Sequence, residues 1–251
     1  MYQKKGVILQ KISSMKKHLP NFITCLNLVS GCISIVLALK GNLEWAAFLI
    51  IISSFFDFAD GFAARLLHAK SKIGVDLDSL ADIVSFGVAP SMILLVWLEA
   101  CFYNLPPFLH SPLILSLSYL VFLIPALSAL RLAKFNHDER QVDSFIGLAT
   151  PANALFLGFL PFAAERLPLF SNYWVVIGTT IIFSLLLVSN IPMFSLKFKN
   201  FKLKENISRY ILLFFAALLL VAFQFGAFPV IILFYILISL VQLLITKLHW
   251  I

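Results

Sequence analysis

The chain has 251 residues, of which 61% are hydrophobic and only 12% charged, with a formal net charge of +7 and a mean hydropathy of +0.98. Those values exclude an ordinary soluble globular domain. Apolar runs long enough to cross a bilayer recur from end to end, which makes this a polytopic membrane protein.

In chain order the sequence predicts eight transmembrane helices, at about 20–40, 44–67, 75–101, 113–135, 149–165, 173–191, 207–225 and 228–246. The expected fold is all-α and integral to the membrane, a single domain over 1–251, with a polar cavity that faces the cytoplasm and is lined by metal ligands. The opening stretch MYQKKGVILQKISSMKKHLP is basic, and no small-residue cleavage site ends the first apolar run. A retained helix is therefore expected there, after a cytoplasmic basic segment over 1–19.

Five lysines precede the first helix, Arg65, Lys70 and Lys72 follow the second, and Arg131, Lys134 and Arg140 follow the fourth. Lys197, Lys199, Lys202, Lys204 and Arg209 follow the sixth and Lys247 the last, whereas the alternate loops hold only Lys40 and Arg166. Seventeen basic residues on one side against two on the other is a strong positive-inside bias. It puts both termini in the cytoplasm, as for a multi-pass protein of the inner membrane. The basic surplus is an orientation signal, and no nucleic-acid partner is expected.

Cys25, Cys32 and Cys101 fall in or beside spans and suggest neither a disulfide framework nor a zinc site, so buried thiols are expected. The segment MFSLKFKNFKLKEN alternates lysines with aromatics. It suits a strip at the membrane interface, with contact to a phosphate-bearing substrate as the alternative.

The chemistry concentrates between Asp57 and Asp82, where five of the twelve acidic residues fall within 26 positions. Asp57 and Asp60 are three residues apart, with Gly61 and Ala64 on the same helical stripe; Asp78 and Asp82 are four apart, with Gly74 one turn earlier. A short connection makes the two helices an antiparallel hairpin, which brings four carboxylates together. Asp76 points roughly 200° away from Asp78 and stands outside the group. Each carboxylate placed in a span costs about 2.5–3.5 kcal/mol on insertion scales, and four like charges also repel. Arg65 alone cannot balance them. Divalent cations can, and an oxygen-only donor set suits magnesium, manganese or calcium. Two metals beside a basic residue fit in-line displacement at phosphorus. A divalent-ion transporter would also use intramembrane carboxylates, but near the midplane and commonly with repeat halves, which this sequence lacks.

The spacing Asp57-x2-Asp60-Gly61-x2-Ala64-Arg65-x8-Gly74-x3-Asp78-x3-Asp82 resembles the signature of the CDP-alcohol phosphotransferases at all eight fixed positions. The resemblance implies a membrane enzyme, usually a homodimer, that transfers a phosphatidyl group from CDP-diacylglycerol to an alcohol and releases CMP. It implies that Asp57, Asp60, Asp78 and Asp82 hold two divalent cations, Mg2+ or Mn2+, and that Asp82 is the general base. Gly61, Arg65, Ser71 and Gly74 would bind the CDP moiety. Gly61 lets the nucleotide approach the helix backbone, and Arg65 offers planar charged donors.

The stretches PNFITCLNLVSG, LDSLADIVSFGVAP, LRLAKFN, FIGLATPANA and SNIPMFSLK resemble the branch of that family that uses L-serine as the acceptor. Glycerol 3-phosphate or an inositol compound is the alternative acceptor. Arg131 and Asn136 are the expected serine-binding residues; ordinary positive-inside placement is the competing reading of Arg131 and Lys134, and a helix cap or turn that of Asn136. Asn21 and Thr24 are expected either to line the nucleotide pocket or to cap the first helix. His68 and His137 are expected to be solvated loop residues.

Overall fold

The computed structural model describes residues 2–69, 71–137, 145–194, 196, 200 and 202–248; side chains are described from His18 on, apart from those of residues 145, 204, 205 and 246–248. Lys70, Asp138, Arg140, Lys197 and Lys199 lie outside the described residues.

The first helix, α1, runs over Tyr2–Leu39 and carries Pro20 in its interior. The apolar span His18–Leu39 agrees with the predicted span at 20–40, while the helix itself extends back to Tyr2. Polar and basic residues carry no apolar signal, yet they continue the same helix. Asn21 and Thr24 lie deep within α1, which rules out the capping alternative for both.

Helix α2, Leu43–Leu66, starts at Asn42, whose side chain accepts from the Trp45 amide at 3.4 Å. Phe55, Phe58, Phe62 and Leu66 stand exposed along one stripe of α2, while Asp60 is buried on another. An apolar stripe turned outward and a polar stripe turned inward is the arrangement a helix takes against lipid.

Ser71 caps α3, Lys72–Asp82, by accepting from the Gly74 amide at 3.0 Å. The helix continues through a π-helical segment, Ile83–Val88, into α4, Ala89–Tyr103. Beyond a 3-10 turn at Pro107–Leu109 come α5, Pro112–Ser116, a 3-10 stretch, Leu117–Phe122, and α6, Leu123–His137. The helix predicted at 149–165 is two short ones, α7, Thr150–Gly158, and α8, Leu160–Ala164, separated at Phe159 (φ −105°, ψ 2°). Pro161 accounts for the break, since it has no amide to donate and its ring displaces the preceding turn. Helix α9 spans Tyr173–Val188, and α10, Leu203–Phe223, turns back at Gln224 (φ 48°) into α11, Ala227–Leu248.

Residues Phe145–Ile146 (β1) pair antiparallel with Pro192–Met193 (β2), so the motifs FIGLATPANA and SNIPMFSLK meet at one point in an otherwise helical protein. Gly147 has φ +75°, and a Cβ there would stand 2.6 Å from the Leu187 carbonyl, which requires glycine.

Among the described residues, five stretches are long and apolar enough to cross a membrane: His18–Leu39, Leu43–Leu66, Lys72–Tyr103, Pro112–His137 and Asn206–Ile245, the last of which contains the reversal at Gln224. Tyr173–Val188 is a shorter apolar helix. Cys101 is buried, but Cys25 and Cys32 are exposed, contrary to expectation, because they sit on the outer face of α1. The inner face of α1 carries Thr24, Asn27, Ser30, Gly31, Ser34 and Ala38, all buried.

Candidate active site

Small residues let the first three helices close on one another. A Cβ built on Gly31 would stand 2.8 Å from the Ser85 Cα, and one on Gly74 3.2 Å from the Asn21 Oδ1. Between α1, α2 and α3 lies a cavity of about 210 Å³, lined on α1 by Asn21 and Thr24, on α2 by Asp60, Gly61 and Arg65, and at the start of α3 by Ser71, Gly74 and Asp78. Every residue assigned from the sequence to CDP-diacylglycerol is on this wall. Arg65 is exposed there.

Asp57, Asp60 and Asp78 each offer an oxygen, and these atoms lie within 4.8 Å of one another. Asp60 is buried and accepts a hydrogen bond of 2.5 Å from the Thr24 hydroxyl; the Pro20 carbonyl is that hydroxyl's alternative acceptor, at 3.1 Å. One Asp78 oxygen, Oδ1, is buried without a hydrogen-bond partner. Carboxylates so close, one of them with an unsatisfied oxygen, are a donor set for hard divalent cations, and the residues fit that group. Asp82 sits one turn further along the same helix, buried, and interacts electrostatically with Asp57, Asp60 and Asp78. Asp76 is exposed, as its register predicted.

Sequence reasoning missed Asn27. It is wholly buried and its amide donates to Asp82 Oδ1 at 3.3 Å. Its main-chain carbonyl accepts from Ser85 at 3.0 Å and from Ser53 at 3.4 Å, which ties α1 to both neighbouring helices. The signal was present: Asn21, Thr24 and Asn27 recur every three residues in an apolar run, a polar stripe on one face.

Arg131 and Asn136 part company. Arg131 is buried on α6, interacts electrostatically with Asp82, and has its guanidinium carbon 5.8 Å from the Phe135 ring centroid. Asn136 is exposed and donates to the Ser79 hydroxyl at 2.9 Å, a clasp between α6 and α3. Lys134, His68 and His137 are exposed.

An apolar helical bundle with carboxylates gathered at the wall of a polar cavity defines an integral-membrane protein with a candidate divalent-cation centre. Residues 17–193 match the CDP-alcohol phosphatidyltransferase family. The chain belongs to that family. It is 36% identical over 185 residues to a CDP-diacylglycerol–serine O-phosphatidyltransferase of Bacillus subtilis, covering 74% of this chain and 92% of that one. The enzyme of the same name from Helicobacter pylori is 34% identical over 206 residues, covering 77% of each chain. That from Methanocaldococcus jannaschii is 36% identical over 172 residues, covering 68% of this chain and 71% of its own.

Proposed function

We propose that this protein transfers the phosphatidyl group of CDP-diacylglycerol to the hydroxyl of L-serine, giving phosphatidylserine and CMP. The observation that carries the reading is the convergence of Asp57, Asp60 and Asp78 on one another, with Asp60 and Asp78 on the cavity wall, in a chain of this family. The serine hydroxyl oxygen forms a bond to the diacylglycerol-linked phosphorus. The bond from that phosphorus to the bridging oxygen breaks, and CMP leaves with the electron pair. The hydroxyl proton passes to Asp82, the buried carboxylate beside the cluster.

Asp57, Asp60, Asp78 and Asp82 would hold two divalent cations, Mg2+ or Mn2+. When bound, such ions neutralise the pyrophosphate and stabilise the leaving oxygen. Gly61 and Gly74 keep the cavity wall open to the nucleotide, Asn21 and Ser71 offer it polar atoms, and Arg65 faces its phosphates. Arg131, the buried cation next to Asp82, receives the serine carboxylate. Asn136 is tied to Ser79 and acts at the edge of that pocket.

Seventeen of nineteen basic residues on one side support eight crossings of the cytoplasmic membrane with both termini and the site on the cytoplasmic side. A homodimer is the assembly that the family resemblance implies. The test is an acceptor screen with purified protein and CDP-diacylglycerol. CMP release that depends on added serine is the expected result. Release with glycerol 3-phosphate or an inositol compound, and none with serine, would overturn the acceptor; no release with any alcohol would overturn the enzyme.

A further inference from the structure

A second set of polar groups lies buried deeper in the bundle, beyond Asp82. Arg131 Nε, both amide atoms of Asn153, and the hydroxyls of Ser128 and Ser184 are out of solvent contact and have no hydrogen-bond partner. Asn153, Ser128 and Ser184 are 0% exposed and Arg131 is 7% exposed. Native interiors almost always satisfy such groups, and an amide that makes none of its bonds needs a reason.

Their placement supplies one. Helix α6 runs antiparallel to α3 and the π-helical segment: Asn136 meets Ser79 at one end, and a Cβ on Gly87 would stand 3.6 Å from the Ser128 Cβ at the other. Those two contacts bracket Arg131 and Asp82, whose charges interact. On α7, Phe156 stacks on Phe183 of α9 with centroids 3.5 Å apart, while Gly158 faces Pro90 of α4. At 100° per residue, Asn153 falls between those two faces, and α7 packs on α9 and on the π-helical segment, the two elements that α6 also packs on.

We propose that Asn153, with Ser128, forms the inner wall of the acceptor subsite and holds the amino and carboxylate groups of a small amino-acid alcohol whose hydroxyl lies toward Asp82. This rests on the reading of the chain as a serine-accepting transferase. A zwitterion brings ammonium donors and carboxylate acceptors together. An amide answers both, since Oδ1 accepts from the ammonium and Nδ2 donates to the carboxylate. Arg131 Nε adds a charged donor, and the Ser128 hydroxyl a further acceptor.

The test uses Asn153→Leu, which fills nearly the same space without polar atoms, and Asn153→Ala. CMP release is measured against serine and against CDP-diacylglycerol, together with the melting temperature of the full-length protein in detergent with and without serine. Two lost hydrogen bonds to charged groups correspond to a rise of roughly tenfold or more in the KM for serine. The KM for CDP-diacylglycerol stays unchanged, the leucine variant melts no lower than the parent, and serine no longer raises its melting temperature. A folded leucine variant with an unchanged KM for serine, or with both KM values raised alike, overturns the assignment of Asn153. A parent protein that ignores serine but accepts another alcohol fails at the earlier step, the choice of acceptor.

Discussion

Thr24→Val separates two jobs that one residue is positioned to do. Thr24 lines the cavity, and its hydroxyl oxygen, with a single proton to give, lies 2.5 Å from Asp60 Oδ2 and 3.1 Å from the Pro20 carbonyl. The shorter contact is to a charged acceptor, so it takes the proton. Valine keeps the β-branch and the helix and removes only the donor. Asp60 Oδ2 then loses the Thr24 donor. A hydrogen bond to a charged group contributes about 1.5–3 kcal/mol. Residues that orient metal ligands in this way typically change metal affinity by about 10–100-fold when removed. The assay is CMP release at saturating CDP-diacylglycerol and serine, titrated with Mg2+ or Mn2+. The half-saturating metal concentration rises by about tenfold or more, and excess metal restores most of the rate. An unchanged metal titration with a raised KM for CDP-diacylglycerol would refute the reasoning, because Thr24 would then act on the nucleotide and not through Asp60.

Reporter fusions after Lys72, Asn136 and Lys204 read cytoplasmic and those near Pro107 or Phe170 external; a cytoplasmic signal at Pro107 breaks the assigned orientation. Asp82→Asn abolishes turnover and Asp57→Asn or Asp60→Asn weakens metal and nucleotide dependence together, while Asp76→Asn is mild because its side chain is exposed. Equal losses in Asp76→Asn and Asp78→Asn would show the helical register to be wrong. Arg131→Ala raises the KM for serine by roughly tenfold and leaves that for CDP-diacylglycerol nearly unchanged, as initial-rate kinetics would show; equal shifts in both would mean that Arg131 supports the whole site.

The aspartate hairpin was legible because its information is periodic. Spacings of three and four put Asp57 with Asp60 and Asp78 with Asp82, and a short turn allows only one way for two helices to fold back. The exclusion of Asp76 followed from the same arithmetic and agrees with its exposure. What escaped were features without a hydropathy signature. The start of α1 at Tyr2 is written in basic and polar residues, and Pro20 reads as a boundary although it sits inside the helix. The π-helical segment at Ile83–Val88 looks in sequence like any apolar helix. Asn153 is one amide in the run TPANALFLG, and only the packing of α7 against two different neighbours reveals where it points. The outward turn of Cys25 and Cys32 needed the polar stripe of α1 to be recognised first, since the cysteines lie off that stripe.

The π-helical segment begins directly after Asp82, the last residue of α3. A π turn takes an extra residue, so the faces of the helix before and after it are offset. In Lys72–Tyr103 this lets α3 present acids to α1 and α2 while α4 presents Ala89 and Ile93 to an apolar core. The offset turn is clamped from both sides. Ser85 donates to the Asn27 carbonyl, where Gly31 leaves no side chain in the way, and Gly87 allows Pro125 of α6 to within 3.0 Å of where a Cβ would stand. Asp82 immediately precedes this clamped turn, with the Asn27 amide on one of its oxygens and the Arg131 charge beyond. Asp57 and Asp78 are only half-buried, within ligand distance of Asp60 at the cavity wall. Asp82, the one assigned to take a proton, stands one turn beyond Asp78 and is held by the Asn27 amide with the Arg131 charge near it. A carboxylate that takes a proton between two substrates has to be held in a fixed direction, because an alcohol aligns with a phosphorus over a narrow range of angles.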